Sequence, residues 1–210
     1  MRLLAAVGVL AWTNVAVHLA GLAFAAVAIR PGTPAVPAAE RAAYLAARPL
    51  GWTLGWATWM ACALALIAFL AVIAAIRPSP AAQVAVALAA AGAAVDLICD
   101  AVYITVLPDL AAAGPTPLFL AAERALAVAG QVAANGLYSI AVLLVTLDVG
   151  RRDHRALALG TATFAAGMAL AGAGFGGDPT ALAISAGATI LCFCGWTLAM
   201  SHALQARATE

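Results

Sequence analysis

Six apolar stretches govern what this chain can fold into, because each is long enough to cross the roughly 30 Å hydrocarbon core of a bilayer, which takes about 20 helical residues. They run approximately over residues 3–29, 51–76, 81–107, 117–147, 155–175 and 179–203. Lipid offers a backbone no hydrogen bonds, so apolar runs of this length cross it as helices that satisfy their own amides. A mean hydropathy of +1.04 with 9% charged residues leaves no room for an ordinary soluble domain. The expected fold is all-α: a single integral membrane domain over residues 1–210, built as a six-transmembrane-helix bundle.

Helix punctuation supports these boundaries independently of hydropathy. Ser79-Pro80, Thr116-Pro117 and Asp178-Pro179 each place a capping side chain directly before a proline, and proline suits a first helical position whose N–H would be unpaired anyway. The first run spans 27 residues and carries Asn14 and His18 in its middle. A signal-peptide core is about 7 to 15 residues long, so this run reads as a retained first span.

Arginine placement predicts the orientation. With the N-terminus inside, the cytoplasmic side holds Arg2, Arg77, Arg151, Arg152, Arg155 and Arg207, and the outer side holds Arg30, Arg41, Arg48 and Arg124. Both termini are therefore expected in the cytoplasm of a multi-pass cell-membrane protein. The longest connection, residues 30–50, opens with Pro31, Pro34 and Pro37 and turns helix-prone from Ala38 to Arg48. There Glu40, Tyr44 and Arg48 recur at four-residue spacing, which predicts a short interfacial helix with one polar edge on the outer face.

Several function classes are excluded. The chain contains no lysine, so Schiff-base chemistry on a lysine is ruled out. A net charge of +1, with no basic cluster beyond Arg151, Arg152 and Arg155, gives no footprint for nucleic acid. Cys62, Cys99, Cys192 and Cys194 all fall inside apolar runs, where cysteine acts as a small hydrophobe, and Cys192 and Cys194 lack both redox and zinc-ligand spacing. No metal site and no cofactor are expected; a bis-histidine haem would need a second histidine at the depth of His18.

The chemistry-bearing residues lie within the spans. Asp96 and Asp100 sit one helical turn apart in the third, where each costs about 2.5 to 3.5 kcal/mol at the membrane centre. The ten Val, Leu and Ile residues of the run from Val84 to Leu107 return only about 3 to 6 kcal/mol, so something must face those carboxyls. Two carboxylates so close in low dielectric repel, and the pair is expected to hold at least one proton. Tyr103 shares their face by helical spacing. Asn14 and His18 pair up on the first span, and Gln131, Asn135 and Tyr138 on the fourth. Trp52, Trp56 and Trp59 line the second, Trp52 and Trp56 suiting an interfacial aromatic belt. At 1.5 Å per residue, Asp100 lies about 10 Å and Asp96 and His18 about 16 Å below the outer ends of their spans. A cavity in the outer half, lined by the first four spans, would satisfy all these groups. The small residues Gly160, Gly167, Ala171 and Gly174 on the fifth span suit close helix packing, so the fifth and sixth spans read as scaffold.

Gly92, Asp96 and Asp100 read G-x3-D-x3-D and resemble the second half of the metal-binding motif of CDP-alcohol phosphotransferases, which are also six-span membrane enzymes. The first half of that motif belongs at residues 74–83, where the chain reads AAIRPSPAAQ, with neither leading aspartate nor the glycine. The resemblance therefore covers nine residues and implies no metal here.

The expected function is an intramembrane enzyme acting on an apolar, lipid-like or isoprenoid-like molecule. Asp96, Asp100 and His18 are the candidate catalytic residues, and Asn14, Trp56, Trp59, Tyr103, Gln131, Asn135 and Tyr138 the candidate substrate contacts. A proton-coupled small-molecule transporter and a non-catalytic assembly or sensory subunit are the alternatives.

Overall fold

The computed structural model describes residues 2–206, and every regular element among them is a helix. Six units are long and apolar enough to cross a membrane: Arg2–Gly32, Leu50–Ile76, Pro80–Ala112, Pro117–Asp148, His154–Gly176 and Pro179–Ala206. Within them lie α1 (Arg2–Phe24), α3 (Leu50–Ile76), α4 (Pro80–Ala112), α5 (Pro117–Ala127), α6 (Asn135–Asp148), α7 (His154–Gly176) and α8 (Pro179–Ala206), while α2 (Ala38–Ala46) lies in the first connection. Large apolar side chains such as Val9, Trp12, Val27, Ile98 and Ile184 stay exposed, as a lipid-facing surface requires.

The three capped starts form as the sequence predicts. Ser79 accepts from the Ala82 amide, Thr116 from that of Phe119, and Asp178 from those of Thr180 and Ala181. Gly177 ends α7 at φ 72°, a conformation that only glycine adopts without strain.

The spans form a closed ring. α1 packs on α3, α3 on α4, α4 on α6, α6 on α7 and α7 on α8, and α8 returns to α1. The described ends therefore meet on one face, where Gln205 Nε2 donates to the Leu4 carbonyl (3.3 Å). Arg207, counted above on that side, lies outside the described residues. Away from α2, the ring is filled by Val7, Phe69, Leu70, Ile73, Val145, Trp196 and Met200, all within a few per cent of full burial.

A glycine seam sets the α6–α7 contact. A Cβ at Gly160 would meet Thr146 Oγ1 at 2.1 Å, one at Gly167 would meet Ser139 Oγ at 2.0 Å, and one at Gly174 would meet Gln131 Cβ at 3.0 Å. These small residues thus serve the fourth span as well as close packing on the sixth. Steps along α7 are seven and seven residues, whereas the matching steps back along the fourth span are seven and then eight. The extra residue is taken up by a π-helical segment, Val128–Ala134, between α5 and α6.

That segment overturns one face assignment. Ordinary helical spacing puts Gln131 beside Asn135 and Tyr138, but the wider turns rotate it onto α7 at Gly174. Gly130 takes its place: its carbonyl accepts from Asn135 Nδ2 (2.9 Å), and a Cβ on it would lie 3.7 Å from Asp96 Oδ1.

The short helix expected in the first long connection is present as α2. It ends at Ala46, with Arg48 beyond it at φ 48°, and its Arg41, Ala42 and Leu45 are buried against the bundle. Trp52 is 1% exposed beneath it and is therefore a core residue, not a belt anchor.

Candidate functional site

Three layers stack inward from α2. The outermost is an ion-paired lid. Arg41 Nε donates to Glu123 Oε1 (2.8 Å) and Arg41 Nη2 to Glu123 Oε2 (2.7 Å), a bidentate pair joining α2 to α5. Arg41 Nη1 donates to the Val36 carbonyl, and the guanidinium lies 5.9 Å from the Phe119 ring centre. Arg48 pairs with Asp109 at the surface, and the Tyr44 hydroxyl donates to the Ala28 carbonyl at 2.5 Å. Burial raises the Tyr44 phenol above its usual pKa, which keeps that donor protonated. Glu123 is a polar residue near the start of the fourth span. Nothing in the sequence spacing links residues 41 and 123.

The second layer is aromatic. Trp56 stacks on Tyr103 with ring centres 3.9 Å apart and planes within 6° of parallel. Trp52 packs edge-on against Tyr44, Trp56 and Tyr103, and its Nε1 donates to the Tyr103 carbonyl (2.7 Å). The Trp56 Nε1 is buried with no hydrogen-bond partner among the described residues.

The third layer holds the carboxyls. Asp100 is 1% exposed, and its Oδ2 also lacks a partner among the described residues. Asp96, half-buried, accepts from the Tyr138 hydroxyl at 3.3 Å. Tyr138 can lie there because Gly92 has no side chain: a Cβ at that position would meet the Tyr138 ring at 2.9 Å and the Ala134 carbonyl at 3.1 Å. The glycine of the G-x3-D-x3-D run thus has a packing reason of its own. Among the described residues, no group of three or more His, Cys, Asp or Glu side chains is arranged to hold a metal.

His18 and Asn14 stand apart from this pair. Asn14 Nδ2 donates to the Leu10 carbonyl one turn back (2.8 Å) and across to the Ala65 carbonyl of α3 (3.0 Å), while its Oδ1 is buried without a partner among the described residues. His18 Nδ1 contacts the Asn14 carbonyl at 2.9 Å rather than an aspartate. The imidazole sits 4.7 Å from the Phe193 ring centre and edge-on to Trp59 at 6.4 Å. Trp59 in turn lies flat against Gly21 of α1, so it faces the first span rather than the carboxyls.

His18 opens onto a cavity of about 50 Å³ that also touches Asn135, Tyr138, Ser139, Thr163, Thr189 and Phe193. It is bounded by the first, second, fourth, fifth and sixth spans, not by the first four. Ser139, Thr163 and Thr189 each donate to a carbonyl one turn back on their own helix. Tyr138 joins the two compartments, since its ring lines the cavity and its hydroxyl reaches Asp96.

Chemically, the layers offer a carboxyl held by a phenol, a second carboxyl with a free oxygen, and an indole N–H free to donate. Compared with protein-family models, with curated proteins and with solved structures, the chain finds no match.

Proposed function

We propose that the protein is an intramembrane enzyme acting on an apolar, lipid-like or isoprenoid-like molecule that carries one small polar group. Asp96 and Asp100 are the acid/base pair, Tyr138 holds Asp96, and Trp56 and Tyr103 form the wall against which the apolar part rests. The observation that carries this reading is the buried Asp100 Oδ2 and the buried Trp56 Nε1, neither of which has a hydrogen-bond partner among the described residues. An unpaired buried polar group costs about 1 to 3 kcal/mol, and a substrate hydroxyl or carbonyl would recover that cost on binding. The cavity of about 50 Å³ beside His18 reaches this site only through Tyr138, which lines it and also bonds Asp96.

A proton-coupled carrier would need a polar route to the other face. The packed layer of Phe69, Ile73, Val145, Trp196 and Met200 stands in its way. A purely structural subunit would turn its carboxyls toward a partner helix, and Asp100 is instead 1% exposed inside the ring. Arginine counts favour a cytoplasmic location for both described ends and an outward-facing α2.

The test is mass spectrometry of small molecules released from gently solubilised wild type, Asp96→Asn and Asp100→Asn proteins. A bound apolar molecule that appears unchanged in the variants and converted in wild type supports the reading. Folded variants carrying the same molecules in the same state as wild type would remove the aspartates from any catalytic role.

A further inference from the structure

At the face of the bundle opposite α2, a concave site of about 370 Å³ opens between the α3–α4 connection and the turn that follows α6. Arg77 contributes from the first of these, immediately after α3, and Arg151 and Arg152 from the second, a short 3-10 turn at Gly150–Arg152. All three are exposed, and none forms an ion pair with a described carboxylate. Asp148 is the one acidic residue in the lining, and it accepts a hydrogen bond from the Ser79 hydroxyl, tying the two connections together. With three guanidiniums and one carboxylate, the lining carries a net charge of +2.

We propose that this cleft binds a phosphate group, with Arg77, Arg151 and Arg152 converging on its oxygens. Guanidinium groups match phosphate geometry in a bidentate manner and give up water more readily than an ammonium does. The position supports a lipid headgroup as the source. Arg77 follows the last residue of one span, and the 3-10 turn begins two residues after Asp148 ends another, so the three cations lie at headgroup depth. Arginines on this side also set topology, but topology needs only their number; convergence from two separate connections on one cavity is an additional arrangement. The Ser79–Asp148 bond holds those connections together without consuming an arginine.

The experiment uses the full chain and native mass spectrometry after exposure to equal amounts of phosphatidylglycerol and phosphatidylcholine. A second arm measures the thermal shift with inorganic phosphate alone, in a zwitterionic detergent. An arginine near an anionic headgroup is worth roughly fivefold in retention, so Arg77→Gln/Arg151→Gln/Arg152→Gln should lose more than about tenfold of the phosphatidylglycerol signal. Arg155→Gln, on the same side but outside the cleft, should lose little. Asp148→Asn keeps an acceptor for Ser79 and removes the opposing charge, so its retention should rise, a gain that misfolding does not produce. Stabilisation by inorganic phosphate that depends on the three arginines, without preference for phosphatidylglycerol, would support the site and assign it to a soluble anion. Equal losses in Arg155→Gln and the triple variant, or no change in either arm together with no gain in Asp148→Asn, would overturn it.

Discussion

Replacing Glu123 by glutamine keeps the shape of the Arg41 pair and removes its charge. In the native bundle the two side chains are 10% and 7% exposed and share two short charge-assisted hydrogen bonds. Breaking such a pair from one side leaves an uncompensated buried guanidinium, at a cost of about 3 to 5 kcal/mol. The Arg48–Asp109 pair, 56% and 67% exposed, contributes only about 0 to 1 kcal/mol. Since ~1.4 kcal/mol is a factor of ten, Glu123→Gln should speed amide exchange across Ala38–Ala46 by about 10² to 10⁴, or until those amides exchange at the unprotected rate. Asp109→Asn should change it less than about fivefold. The double variant Arg41→Gln/Glu123→Gln buries no unpaired charge and should open less readily than Glu123→Gln alone. Hydrogen exchange read by mass spectrometry in detergent decides the matter. Equal effects from Glu123→Gln and Asp109→Asn, or a double variant no better protected than the single one, would show that the apolar contacts of Ala42 and Leu45 hold α2 down and that the ion pair does not.

Three further outcomes follow from the packing and the caps. Gly92→Ala should destabilise the bundle by about 1 to 3 kcal/mol, because the new methyl has a ring on one side and a backbone carbonyl on the other; a thermal melt no lower than wild type would contradict this. Along the seam, Gly160→Ala should cost more than Gly167→Ala, since Thr146 presents Oγ1, Cγ2 and Cβ all within 2.9 Å whereas Ser139 presents mainly its hydroxyl. Ser139→Ala should accordingly relieve the Gly167→Ala defect in a double-mutant cycle and leave the other untouched. Asp153 caps α7 by accepting from the Ala156 and Arg155 amides (2.9 Å each), chiefly the former, and these bonds lower its pKa. A lowered folded-state pKa means that the cap's stabilisation is fully present above the ordinary aspartate pKa near 4 and is lost as pH falls through the lower folded value. Asp153→Ala should therefore cost ~1 kcal/mol at neutral pH and flatten the acid limb of a stability profile below about pH 4.

The spans and their starts were legible because hydropathy and capping are local: Ser79, Thr116 and Asp178 each act on amides two or three residues away. Faces were legible only where the helix is regular. Asp96, Asp100 and Tyr103 keep their shared side of α4, but one extra residue wound into Val128–Ala134 moves Gln131 to another neighbour, and no composition signal marks that turn. The docking of α2 was illegible for a different reason. Arg41 lies one position from Glu40 in a helix whose visible pattern was the Glu40, Tyr44 and Arg48 edge, and only the position of Glu123, 82 residues away, decides which side turns inward. Trp52 was misread by the same omission, since a tryptophan near a span end is an interface anchor unless something covers it.

Ring closure between α1 and α8 also bears on how the protein is made. The sixth span is the last of the set to leave the ribosome, and until it enters, α1 and α7 have no common neighbour. Thr189 and Phe193 of that span supply the wall that faces His18 and Thr163 across the small cavity. Without α8 that flank of the ring would stand open, so the sixth span is the element that closes off the polar interior.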